Sequence, residues 1–133
     1  MARKTLIIGA TTNVERYAYK AAQMLTSHGH KIVPVGIRAG EVFGIDIINT
    51  KDIQPDIDTI TLYVSPANQK EWYEYIVKTR PRRVIFNPGT ENIELKTLAE
   101  KEGIATEEAC TLAVSYTHLR AHETKANLVC RLL

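Results

Sequence analysis

Lys4-Thr5-Leu6-Ile7-Ile8-Gly9 is a short apolar run closed by glycine, and together with the residues up to Gly36 it decides the fold. A run of that length and composition reads as a buried strand. The small, hydroxyl-rich turn Ala10-Thr11-Thr12-Asn13 comes next, and Tyr17, Ala21, Met24 and Leu25 then recur at helical spacing up to Ser27. His28-Gly29-His30 stops that helix, glycine being the common residue just past a helix end. Lys31-Ile32-Val33-Pro34-Val35-Gly36 gives a second strand. Strand, helix and strand within about 30 residues make a β-α-β unit, the building block of a parallel sheet.

The pattern continues outward from this unit. Glu41 to Ile53 is a longer excursion in which Ile45, Ile47 and Ile48 suggest a short extra strand. Asp58 to Val64, rich in Thr, Ile, Tyr and Val, is a third main strand. Ser65-Pro66 opens a helix, with Ser as cap and Pro at the first helical position. That helix is predicted over Ala67 to Thr79 with Trp72, Ile76 and Val77 facing inward, and Arg80-Pro81 ends it. Arg83 to Phe86 is a fourth strand, Asn87-Pro88-Gly89-Thr90 a turn, and Asn92 to Glu102 a helix burying Leu95, Leu98 and Ala99. Gly103 closes it before a fifth strand at Ile104-Ala105. The expectation is α/β: one Rossmann-like, doubly wound domain over residues 1–112, with a mainly parallel five-stranded sheet and helices on both faces.

Composition narrows the function classes. The 133 residues include 17 Lys+Arg, 15 Asp+Glu and 44% apolar residues, enough chain for a real core without staples. Two cysteines do not make a disulfide framework. No stretch resembles a signal peptide or a membrane span, so a cytoplasmic domain with no membrane partner is expected. The formal charge of +2 resides in residues 115–133, and the body carries 14 basic and 14 acidic residues. A neutral body without a basic run longer than Arg82-Arg83 argues for a small ligand over nucleic acid.

In a doubly wound sheet the ligand lies beyond the carboxyl ends of the strands, where the strand order reverses. Those ends are Gly9 to Arg16, Gly36 to Gly40, Ser65-Pro66 and Asn87 to Thr90. The first of these enters a helix start, where amides and dipole favour an anion, and Arg16 adds a charged donor. A G-x-G-x-x-G fingerprint fails at Thr11 and Val14, and no G-x-x-x-x-G-K-[ST] exists. The second strand ends in Gly36-Ile37-Arg38, not in an acid for a ribose diol. Arg38 suits a phosphate on the ribose, as in NADP or the 3′-phosphate of coenzyme A.

Ile8-Gly9-Ala10-Thr11-Thr12-Asn13 with Arg16-Tyr17, His30 to Val35, Val42-Phe43-Gly44, Tyr63 to Pro66, Asn87-Pro88-Gly89 and Gly103-Ile104 to Cys110 together resemble the small stand-alone CoA-binding proteins. These are similar to the CoA-binding domain of the succinyl-CoA synthetase alpha subunit. The resemblance implies coenzyme A or an acyl-CoA as ligand, with its diphosphate on Gly9, Ala10, Thr11, Thr12 and Asn13 and its phosphorylated ribose near Arg38. Arg16, Tyr17, Pro34, Gly36, Ser65, Pro66, Asn87, Pro88 and Gly89 complete the implied ligand set. The implied protein binds without chemistry of its own, as a possible homodimer or beside a larger partner. The alternatives are an NADP-linked oxidoreductase and a CoA-dependent transferase subunit. No catalytic residue is assigned, since Cys110 has no His nearby in sequence and reads as a buried inert thiol.

The end of the chain has another character. Val114-Ser115-Tyr116-Thr117-His118-Leu119-Arg120-Ala121-His122-Glu123-Thr124 resembles a translated sequencing-adapter read-through, so residues 113–133 are expected to be a non-native tail. His118, His122 and Cys130 have partial zinc-ligand spacing but no fourth ligand in view, so no metal site is assigned.

Overall fold

The computed structural model describes residues 4–111. The first unit forms as the sequence predicts: β1 (Lys4–Ile8), α1 (Tyr17–Ser27) and β2 (Lys31–Val35). A small hairpin comes next, β3 (Glu41–Val42) with β4 (Ile45–Asp46), and then β5 (Ile57–Leu62). The chain continues through α2 (Pro66–Gln69), a 3-10 turn over Lys70–Trp72, α3 (Tyr73–Thr79), β6 (Arg83–Phe86), α4 (Ile93–Lys101) and β7 (Ala105–Glu108).

The main sheet has five strands in the order β2-β1-β5-β6-β7, every neighbouring pair parallel. Numbered within this sheet the order is 2-1-3-4-5, a Rossmann-like doubly wound arrangement that reverses between β1 and β5. The strands alternate cleanly between two cores. Leu6 and Ile8 pack with Ile60, Leu62, Trp72, Ile76, Val84, Phe86, Leu95 and Ala99 on the face covered by α3 and α4. Ile7 turns the other way, against Ala18, Ala22 and Leu25 of α1 and Val42 and Ile47 of the hairpin region.

Three local features depart from the sequence reading. The helix expected over Ala67 to Thr79 is broken by the 3-10 turn at Lys70–Trp72, so Trp72, Tyr75, Ile76 and Thr79 are buried while Val77 is only partly so. The third main strand stops at Leu62, and Ser65 precedes α2 without a side-chain cap bond; its hydroxyl instead accepts from Asn68 Nδ2 at 3.1 Å. The excursion is a hairpin whose two-residue turn, Phe43-Gly44, has positive φ at both positions (51° and 80°). Such turns favour Asn-Gly, so Phe43 carries local strain, and its ring lies 5.0 Å from that of Tyr19 on α1. Among the described residues no helix is long and apolar enough to cross a membrane.

Candidate functional site

Gly9 sets the site. Its φ of 100° turns the chain out of β1, and the amides of Gly9 and Ala10 both donate to Val35 O at 2.9 Å, which draws the first loop over the end of β2. Two close backbone approaches fix it there. A Cβ on Gly9 would stand 3.1 Å from the carbonyl carbon and oxygen of Tyr63, and a Cβ on Gly36 would stand 2.6 Å from Ala10 O. The end of β1 is thus pressed against the crests of β2 and β5 by glycines on both sides.

The loop then enters α1 through local bonds. Asn13 N donates to Thr11 Oγ1 at 3.1 Å, Glu15 N to Asn13 Oδ1 at 3.0 Å, and Arg16 N to Asn13 O at 3.1 Å. Arg16 is the N-cap, and its side chain caps nothing; the first turn of α1 holds no acidic residue. A helix start in this condition favours an anion. α4 differs, because Asn92 Oδ1 accepts from Glu94 N and Leu95 N and satisfies that terminus internally.

All four crest loops meet in one cleft of ≈ 1120 Å³, lined by residues 9–13 and 15–18, 36–39, 63–65 and 88–90, together with Ile47, Asn68, Glu71 and Trp72. Neither Arg16 nor Arg38 enters an ion pair among the described residues. Glu71 also reaches the cleft, with Lys51 Nζ 3.3 Å from its carboxylate and 4.8 Å from the Trp72 ring centroid. Among the described residues no group of three His, Cys, Asp or Glu could hold a metal ion. His118, His122, Cys130 and the expected tail lie outside the described residues.

Of the residues singled out in the sequence, the structure brings twelve to the cleft: Gly9, Ala10, Thr11, Thr12, Asn13, Arg16, Tyr17, Gly36, Arg38, Ser65, Pro88 and Gly89. Three stand elsewhere. Pro34 is buried in the middle of β2, opposite Ile7, with its carbonyl taken by Ile48 N at 2.9 Å. Pro66 is an exposed first residue of α2, outside the cleft lining. Asn87 is 2% exposed, and its amide is wholly engaged inside the protein. Its Nδ2 donates to Thr61 Oγ1 at 2.6 Å and Leu62 O at 2.7 Å, while its Oδ1 accepts from Thr111 N and Thr111 Oγ1, each at 2.8 Å. Asn87 is a hub beneath the crest, its amide turned to protein partners and outside the cleft lining.

Tyr63 is a cleft residue that the sequence motifs place only generally. Burial of its phenol pushes the pKa up to about 12, against the pull of the neighbouring Thr111 and Thr61 hydroxyls. It stays a protonated donor at neutral pH. Because the folded pKa is raised, the stabilising contribution is complete below 10.0, where the unfolded phenol is also protonated, and is lost as pH rises toward about 12. Unfolding free energies are expected to fall across that window, and Tyr63→Phe to make the fall shallower in denaturant titrations at stepped pH. Tyr73 and Tyr75, both shifted upward chiefly by burial, keep part of the decline.

A parallel sheet of this order places the cleft, with its uncapped helix start, over the switch point of an α/β domain, the position where sheets of this kind take their ligands. Residues 3–116 match the CoA binding domain, and the chain belongs to that family. No curated protein matches. Among solved structures, a protein described as uncharacterized is 48% identical with a TM-score of 0.84, over 92% of this chain and 98% of that one. A hypothetical protein from Pyrococcus horikoshii OT3 is 27% identical with a TM-score of 0.77, over 92% of this chain and 83% of its own. A Thermus thermophilus protein at 21% identity and a TM-score of 0.80, over 89% of this chain and 90% of its own, shares the fold.

Proposed function

We propose that the cleft binds coenzyme A or an acyl-CoA as a binding module without chemistry of its own. In this reading the diphosphate rests on the first turn of α1 beside Arg16, and the 3′-phosphate meets Arg38. The pantetheine arm then crosses Val64–Ser65 toward Pro88–Thr90. The carrying observation is that one cleft joins an uncapped helix start to two arginines that make no ion pair among the described residues, in a chain of the CoA-binding domain family. Its volume of ≈ 1120 Å³ exceeds the range of about 300–1,000 Å³ usual for drug-sized ligands, as a long coenzyme requires. Tyr17, 39% exposed at the cleft, and Ile37, 79% exposed beside Arg38, offer apolar surface for adenine.

Calorimetric titration with CoA, dephospho-CoA, NAD and NADP tests the reading. CoA is expected to bind most tightly. Arg38→Ala should weaken CoA about tenfold and leave dephospho-CoA unchanged, a loss in the range of one charge-assisted hydrogen bond. Arg16→Ala should weaken both ligands and flatten the salt dependence. Arg38 also suits the 2′-phosphate of NADP, and binding of NADP without CoA would favour an oxidoreductase over this reading.

A further inference from the structure

The cleft wall on the β5 and β6 side is made by Val64–Ser65 and Pro88–Thr90. The β5–β6 ladder does not reach them, since its last register pair is Leu62 with Phe86. One side chain spans the gap. Gln69, the last residue of α2, is fully buried at 0% exposure, and its Nε2 donates to Val64 O at 2.8 Å and to Thr90 O at 2.7 Å. Its Oε1 accepts from Asn92 Nδ2 at 2.9 Å, and that same Nδ2 stands 2.9 Å from the Tyr73 hydroxyl. Glutamine is rarely buried to this degree, because desolvating its amide is costly unless every bond is made. Here they are made, and a planar amide with both donors fixed admits only one spacing between the two carbonyls.

We propose that Gln69 is a positioning residue: it sets the distance between the Val64 and Thr90 walls and so shapes the half of the cleft that receives a ligand's extended arm. The inference rests on the coenzyme reading. With the diphosphate at α1 and the ribose phosphate at Arg38 after β2, the arm leaves across β5, because the sheet order puts β2 and β5 on opposite sides of β1. Gln69 acts through Val64 and Thr90 and is absent from the cleft lining.

The test compares CoA with adenosine 3′,5′-bisphosphate, which keeps the ribose phosphate and one phosphate of the diphosphate but lacks the arm. Gln69→Met preserves length and removes both donors. Calorimetry should show CoA weakened about tenfold in this variant, because the walls that receive the arm are no longer held at one spacing, and the bisphosphate changed by less than about twofold. A purely structural role would weaken both ligands alike; that result, or an unchanged CoA affinity, overturns the proposal. Wild-type protein that binds neither probe overturns the coenzyme reading itself, which is a separate outcome. If Gln69→Met does not unfold cooperatively, Asn92→Asp replaces it. That change keeps the α4 cap and removes the donor to Gln69 Oε1, so the same split between the two ligands is expected, and equal losses overturn the proposal.

Discussion

Gly9→Ala should unfold the protein at markedly lower denaturant than wild type and bring coenzyme affinity down with it. Two separate effects combine at this position. The backbone φ of 100° is one that an L side chain adopts only at a cost, about 1–2 kcal/mol for left-handed backbone. The new Cβ would also lie 3.1 Å from the Tyr63 carbonyl carbon and oxygen, backbone atoms that cannot swing away. Overpacking of that kind typically costs about 1–3 kcal/mol. Gly36→Ala isolates the steric part, because its Cβ would meet Ala10 O at 2.6 Å with no positive φ to add. Gly29→Ala isolates the conformational part, since its φ is 81° and nothing lies within 4 Å. The expected order of destabilisation is Gly9→Ala, then Gly36→Ala, then Gly29→Ala, read from urea midpoints at constant slope. Affinity should obey a different rule: the Gly9 and Gly36 variants displace the first loop and lose binding, whereas Gly29→Ala, at the far end of α1, binds as wild type. Full affinity in a folded Gly36→Ala protein would separate the first loop from the site.

Much of this architecture is written locally. Apolar runs closed by Gly9 and Gly36, a helix stopped at Gly29 and the Pro88-Gly89 turn each declare themselves within a few residues, and in a doubly wound sheet the loops that follow the strands can only meet at one crest. What stayed hidden was long-range. Asn87 sits at a strand end like any ligand-facing turn residue, yet its partners Thr61 and Thr111 lie 26 and 24 residues away. Gln69 stands three residues before the inward-facing Trp72, on the same side of a helix, and both are buried, yet its polar side chain gives no sign of that. A polar residue such as Gln69 is read as solvated by default. Its burial depends on which carbonyls the crest leaves open, a property of the assembled sheet.

Asn87→Leu is the change expected to damage stability most while leaving the cleft lining itself untouched. Leucine has similar bulk but no donor or acceptor, so Leu62 O and Thr111 N each lose their amide partner in a position where water does not reach. Each buried group left unpaired costs about 1–3 kcal/mol, and two together amount to a large share of the roughly 5–15 kcal/mol available to a domain. Asn87→Asp makes a sharper test. A carboxylate still accepts from Thr111 N and Oγ1, but it faces Leu62 O with no proton to donate, and the burial of its charge raises its pKa above the free value. A group whose folded pKa is raised contributes most when protonated, so this variant should regain stability as pH falls toward about 4. Wild-type Asn87 has no such response. Equilibrium unfolding between neutral and mildly acid pH reads the difference directly. If Asn87 were instead a ligand contact, both variants would unfold like wild type at every pH and lose only CoA affinity.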